Sequence, residues 1–193
     1  MHSSPILKRA FDIAVGLALL PVAVPVSLLA MIAIALESRG SPLFAQTRVG
    51  RGMRPFRLYK LRTMGATTGD HPSHAVDPLH ITRVGGFLRR TKLDELPQLV
   101  NVVGGSMSLV GPRPCLPSQT ELVAARESRG LYSIRPGITG PAQIAGVDMS
   151  DPVRLAETEA AYYPRATFPA DLAILVKTVT GAGRGDAATI GKR

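Results

Sequence analysis

The chain of 193 residues has no tryptophan, and with five phenylalanines and four tyrosines its aromatic content is only 5%. Proteins that hold single-stranded nucleic acid interleave stacking rings with basic residues, and that pattern is missing. A single cysteine, Cys115, excludes an internal disulfide, and no CxxC or Cys/His spacing outlines a zinc site. Cys115 reads as a packing residue in a reducing compartment. Acidic residues are the scarcer sign, 14 Asp+Glu against 23 Lys+Arg, which leaves a formal charge of +9. Such a surplus suits an anionic partner: nucleic acid, phospholipid headgroups or a phosphorylated substrate. The lack of stacking rings lowers the first. Internal repeats are absent, and no GxxxxGK[ST] accompanies Val49-Gly50-Arg51-Gly52 to make a nucleotide-cradling loop.

Charge of either sign is also missing from Ile13 to Leu36, a run framed by Lys8, Arg9 and Asp12 before it and by Glu37 and Arg39 after it. The run is long enough to enter a bilayer. It exceeds the ~7–15 residue core of a cleavable signal, and no small-x-small site ends it, so it is expected to stay in the mature protein. Pro21 and Pro25 lie near its middle, where lost donors and ring clashes predict a break near Pro25. Positive residues stand on both flanks, Lys8 and Arg9 before and Arg39, Arg48, Arg51, Arg54 and Arg57 after, which places both flanks in the cytoplasm. A helix that dips in, breaks and returns satisfies both observations; an ordinary kinked transmembrane helix is the alternative.

With 45% hydrophobic residues the remainder can bury one core. The predicted fold class is mixed α/β, mainly helical: a cytoplasmic domain behind an N-terminal re-entrant helix-break-helix hairpin. The hairpin takes residues 1–36, the cytoplasmic domain 37–180 and a loose tail 181–193. Pro42–Gln46 and Phe56–Lys60 read as extended segments separated by the glycines of Val49–Gly52. Gly65 to Pro78 reads as a loop. Ser118 and Glu121 have capping-box spacing for a helix that runs to about Arg129 and stops at Gly130. Asp151-Pro152 caps another helix, ended by Pro164. Leu172, Leu175, Val176 and Val179 form an apolar stripe, expected to pack on the core rather than lie among headgroups.

Thr91-Lys92-Leu93-Asp94-Glu95-Leu96-Pro97-Gln98-Leu99-Val100 carries the chemistry. Thr91 can cap a helix, and Leu96, Leu99, Val100 and Val103 are expected to supply a buried stripe. Pro97 requires that the helix start just before it or be kinked there. Asp94 and Glu95 can simply complement a helix dipole. Neighbouring carboxylates on a helix point roughly 100° apart, so they suit two different tasks rather than a shared proton. One could attack phosphorus while the other holds a divalent cation or handles a proton. Lys60, Arg62, Arg89, Arg90, Arg113 and Arg135 could neutralise a diphosphate during such a transfer. Asp70, His71, His74 and Asp77 could be drawn as a metal site, but their proline-containing loop offers no preorganised face.

Lys8-Arg9-Ala10-Phe11-Asp12, Tyr59-Lys60-Leu61-Arg62-Thr63-Met64, Ile81–Gly85, Leu93–Leu99, Ser106–Pro114 and Arg135–Gly140 resemble, in order, the signature blocks of the bacterial sugar transferase family, the monotopic phosphoglycosyl transferases. The likeness runs from about residue 6 to 180. It departs at Val24-Pro25, where many relatives have Ser-Pro, and at Pro141, where relatives often have Trp after the Thr-Gly pair. The resemblance implies a re-entrant membrane helix, Mg²⁺ dependence with Asp94 and Glu95 as metal ligands, and a ping-pong route. It implies that Asp94 attacks the β-phosphate of a UDP-sugar, releases UMP and passes the phosphosugar to a polyprenol phosphate such as undecaprenyl phosphate. Glu95 would assist with the metal or the lipid phosphate. Lys60, Arg62, Arg89, Arg113 and Arg135 would bind phosphates or nucleotide, and Lys8, Arg9, Asp12, Pro21 and Pro25 would belong to the hairpin. The expected setting is the bacterial inner membrane, with membrane lipid as a partner, a homodimer as the oligomer and no nucleic acid. The chain resembles the small members of the family rather than those with a multi-span N-terminal region. Two rivals stand beside this reading: a basic membrane-tethered scaffold for anionic lipid, and a nucleic-acid binder.

Overall fold

The computed structural model describes residues 5–65 and 80–181. The loop expected over 65–78, with Asp70, His71, His74 and Asp77, lies beyond Gly65 outside the described residues, as does the tail from 182 onward.

Helix α1 (Pro5–Glu37) is one element of 33 residues with Pro21 and Pro25 inside it. The expected break in helical structure near Pro25 is not there. Each proline removes a single donor, and packing compensates. Phe11, Val15, Leu20 and Ala23 join a core of Leu58, Leu99, Val102, Met107 and Leu109, and Ala30, Met31 and Ile34 lie against Leu61 and Leu88. By length and composition α1 is apolar enough to cross a membrane. Leu17, Leu19, Val22, Val24, Leu28, Leu29 and Ile32 remain exposed on it.

Both ends of α1 are fastened to the same body. Near its start the buried Asp12 accepts from Lys8 Nζ at 2.5 Å, Ser108 Oγ at 2.7 Å and the Leu109 N–H at 3.2 Å. Arg9 donates to the carbonyls of Val102 at 2.7 Å and Val103 at 2.9 Å. At the other end the Glu37 carboxylate accepts from the Val84 N–H at 3.2 Å. Arg62 donates to Ser38 O at 2.8 Å and Arg39 O at 2.5 Å.

Strands β1 (Leu43–Val49) and β2 (Pro55–Leu61) pair antiparallel with Leu43 opposite Leu61 and Val49 opposite Pro55. Gly52 lies at the hairpin tip with φ +65°, the left-handed conformation that glycine adopts freely. The two extended segments read from the sequence are these strands. Helices α2 (Arg83–Thr91) and α3 (Gln98–Gly104) follow. Strand β3 (Ser108–Val110) then pairs in parallel with β4 (Gly137–Thr139), so the described residues are mainly helical with two small sheets. Their crossover runs through α4 (Thr120–Glu127). A side chain at Gly137 would put Cβ 2.0 Å from Gly111 N, so the strand ends touch backbone to backbone.

The helix expected from Ser118 starts at Thr120, because Gln119 Oε1 turns back to the Leu116 N–H at 2.9 Å and no capping box forms. It stops before Gly130, which is left-handed at φ +67°. A short helix, α5 (Pro141–Ile144), precedes α6 (Pro152–Tyr162), which is capped by Asp151 as expected. In α7 (Phe168–Val179), Leu172, Val176 and Val179 are exposed, against the expectation that their stripe packs inward. The rotation is set instead by buried Asp171, which accepts from Tyr162 OH at 2.8 Å and lies 3.7 Å from Lys8 Nζ. Ile174 is buried as a result, and Leu175 meets the core.

Candidate active site

Asp94 and Glu95 sit in a single 3₁₀ turn, Leu93–Glu95, between α2 and α3. Thr91, expected to cap the helix that follows, is instead the last residue of α2, and its hydroxyl donates to Phe87 O at 2.9 Å. Lys92 then adopts the left-handed conformation, φ 57°, and its N–H closes the end of α2 on Arg89 O. Pro97 stands at the N-cap of α3, where a missing N–H removes no helical bond. On either side of the carboxylates, Leu93 packs against Leu61 and Leu88, and Leu96 packs against the core around Leu99. Of the stripe expected to be buried here, Leu99 is, but Val100 is 54% exposed, because α3 turns the face with Asn101 and Val102 inward instead.

Strand β2 brings the cations. Asn101 of α3 donates to Arg57 O at 2.8 Å and accepts from the Tyr59 N–H at 3.2 Å, which locks α3 onto β2. Lys60 Nζ thereby lies 2.9 Å from Glu95 Oε1, and Arg113 Nη2 is 3.8 Å from the same oxygen. Thr63 accepts from Arg89 Nε at 2.9 Å, on the side of the turn where Arg89 acts on Asp94.

The two carboxylates are driven apart in acidity. Burial acts to raise Glu95, but Lys60, Arg113 and Lys92 outweigh it and hold the carboxyl at about 2. Asp94, only 8% exposed, is pushed up to about 6 by burial, with the Glu95 charge adding to it. Lys60, Arg89 and Arg113 pull it down less than burial lifts it. Among the described residues no hydrogen bond or ion pair engages the Asp94 carboxylate. The site therefore holds one ion-paired carboxylate beside one that is unclaimed and surrounded by positive charge. Such a group can attack an electrophile whose leaving group is anionic.

Lys60, Arg89 and Arg113 of the sequence candidates converge here. Arg62 does not: it closes the end of α1. Arg135 also lies apart, donating to Gly105 O at 2.9 Å beyond the far end of α3. Sequence reasoning missed Lys92, which adjacency to the pair could have flagged. It also missed Thr63 and Asn101, whose roles depend on long-range pairing. Among the described residues no cluster of three or more His, Cys, Asp or Glu exists; Asp94 and Glu95 are the adjacent carboxylates that could hold a cation in this turn.

A family model described as bacterial sugar transferase matches residues 3–184. The UDP-glucose:undecaprenyl-phosphate glucose-1-phosphate transferase of Caulobacter vibrioides is 46% identical over 145 residues, covering 72% of this chain and 54% of that protein. The protein named uncharacterized sugar transferase EpsL of Bacillus subtilis is 39% identical over 175 residues, 90% of this chain and 86% of its own. The UDP-glucose:undecaprenyl-phosphate glucose-1-phosphate transferase of Escherichia coli is 41% identical over 148 residues, 73% of this chain and 31% of that protein. The chain thus spans about half the length of the Caulobacter relative and under a third of the Escherichia coli one. A match over nearly all its residues, with the paired carboxylates set among cations, establishes that this chain belongs to the bacterial sugar transferase family.

Proposed function

We propose that the chain transfers a phosphosugar from a UDP-sugar to a polyprenol phosphate, undecaprenyl phosphate by analogy with the names of its relatives, and releases UMP. The observation that carries this reading is the unclaimed Asp94 carboxylate beside the ion-paired Glu95. An oxygen of Asp94 bonds to the β-phosphorus of the donor. The bond from that phosphorus to the bridging oxygen breaks, and UMP leaves with the electron pair. An oxygen of the polyprenol phosphate then bonds to the same phosphorus, and the aspartyl oxygen departs as the carboxylate. Lys60, Arg89 and Arg113 stabilise the charge that accumulates on the diphosphate.

Against the upward push of burial, Lys60, Arg113 and Lys92 hold Glu95 ionised. Its work is to gather Lys60 and Arg113 at the site. Mg²⁺ takes one or two carboxylates together with substrate phosphates, and Asp94 and Glu95 fit that donor set. Bound there, it would supply positive charge between the carboxylates and the diphosphate.

The setting we propose is the bacterial inner membrane, with the domain facing the cytoplasm and its UDP-sugars. A helix tied to one body at both ends, through Asp12 and through Glu37, supports a placement with both its flanks on one side of the membrane. Cysteines placed before Lys8 and at Ser41 are both expected to react with an impermeant maleimide from the cytoplasmic side of inverted vesicles and neither from the outer side. Labelling of the two from opposite sides rejects the topology.

The reaction is tested by incubating the purified full chain with Mg²⁺, undecaprenyl phosphate and a panel of UDP-sugars, and measuring UMP. Release that depends on both donor and lipid acceptor is expected with at least one sugar. No UMP from any donor leaves a lipid-binding scaffold in its place.

A further inference from the structure

Arg113 sits between two prolines, Pro112 and Pro114, so neither neighbour offers a backbone donor to hold the segment. It is held by its carbonyls instead. Pro112 O accepts from the Gly137 N–H at 2.8 Å and Cys115 O from the Val49 N–H at 3.0 Å. Pro114 O accepts from Arg48 Nη1 at 3.1 Å. The carbonyl of Arg113 itself accepts from Arg126 Nη1 at 2.8 Å.

Arg126 comes from α4, and its other donors form a two-bond fork on Glu159 of α6, Nε to Oε2 at 2.8 Å and Nη2 to Oε1 at 2.7 Å. The pair is sealed from solvent, with side-chain exposures of 3% and 0%. The Arg113 N–H is a further donor that favours the charged Glu159. Both backbone polar groups of Arg113 are therefore engaged by one ion pair, while its side chain reaches the other way to Glu95. An apolar pair could fill the same volume between α4 and α6, and buried ion pairs are weak stabilisers compared with such replacements. What an apolar pair could not do is grip a peptide unit on both sides.

We propose that Arg126 and Glu159 are positioning residues for phosphosugar transfer: their buried ion pair fixes the backbone of Arg113 so that its guanidinium meets Glu95 and the donor diphosphate. The role rests on the reaction proposed above. Misplacement of a charged group by an ångström costs rate without removing any contact with substrate.

The test uses the full chain with two alterations of the pair. In one, Arg126→Met and Glu159→Leu replace it with apolar volume; in the other, Arg126→Lys keeps a charge on Glu159 but lacks the planar fork whose three nitrogens span both carboxylate oxygens and the Arg113 carbonyl. Each is melted by circular dichroism and assayed for UMP release, alone and combined with Arg113→Ala. We expect folded variants whose kcat falls by about tenfold or more with donor KM changed far less. In the Arg113→Ala background the same alterations should add no loss beyond about twofold, because the residue they position is gone. A folded variant within about twofold of wild type, or losses that multiply with Arg113→Ala, overturns the role. So does unfolding of both variants, which makes the pair a requirement of the fold alone. If the wild type releases no UMP, the reaction itself fails; if it turns over and the variants match it, only the positioning role fails.

Discussion

Asp94→Asn is expected to abolish UMP release, by about a thousandfold or more, and at the same time to make the protein more stable at pH 7. The first effect follows from removing the proposed nucleophile, since an amide cannot form the acyl phosphate. Intact-mass measurement after incubation with donor alone should show a phosphosugar adduct on the wild type and none on the variant. The second effect follows from burial, which lifts this carboxyl from its ordinary 3.8 to about 6, so the ionised form is strained in the folded state. At neutral pH the strain is present in full, and the neutral side chain relieves about 1–3 kcal/mol of it. The relief should shrink as pH falls through about 6, where folded Asp94 takes up a proton, and vanish below 3.8, where the unfolded chain is protonated too. Thermal melts at pH 7 and pH 4 measure this. Turnover at the wild-type rate by Asp94→Asn would end the proposed chemistry.

Loss of Lys60 should do the second greatest damage. Lys60→Met keeps the stem but leaves Glu95 with Arg113 at 3.8 Å as its nearest cation. Lys60 acts to lower both carboxylates, so its removal raises both. In the wild type the rate should fall as pH drops through about 6, since only ionised Asp94 attacks. In the variant that acid limb should move upward by about one pH unit, with kcat at pH 7 reduced by about 10–100-fold. A pH–rate profile of kcat separates the two contributions. An unshifted limb would mean that Lys60 does not face Asp94 during the reaction.

The candidate site was the most legible part of the sequence, because its logic is local. Leu93, Leu96 and Leu99 bracket two acids, and a proline fixes where the helix after them begins. The side of the turn on which Thr91 falls was not legible, since the left-handed Lys92 that separates α2 from α3 has no signature in a residue that is neither Gly nor Asn. Arg62 and Arg135 were grouped with the site because they are cationic and lie in the same blocks as true neighbours. Lys60 and Arg62 differ by two positions in and after one strand, yet one reaches Glu95 and the other the end of α1. Which carbonyl an arginine closes is decided by pairing over long sequence separation, and composition carries no trace of it. Pro21 and Pro25 misled for a related reason: local geometry favours a break, and contacts made by Leu20 and Ala23 with distant residues favour continuity. The face of α7 was set by Asp171, a buried acid that a stripe of leucines and valines gave no reason to consult.

Glu37 closes the start of α2 and Arg9 closes the end of α3, so the segment bearing the candidate catalytic turn is held at both extremities by the long apolar helix α1. That helix is consequently no detachable anchor. Trimming it to obtain a soluble enzyme would strip one wall from the core around Leu99 and Val102 and release the carriage on which Asp94 rides. Detergent or a lipid disc around the whole chain is the form in which the proposed transfer should be assayed, and solubility gained by deletion would come with a dismantled site.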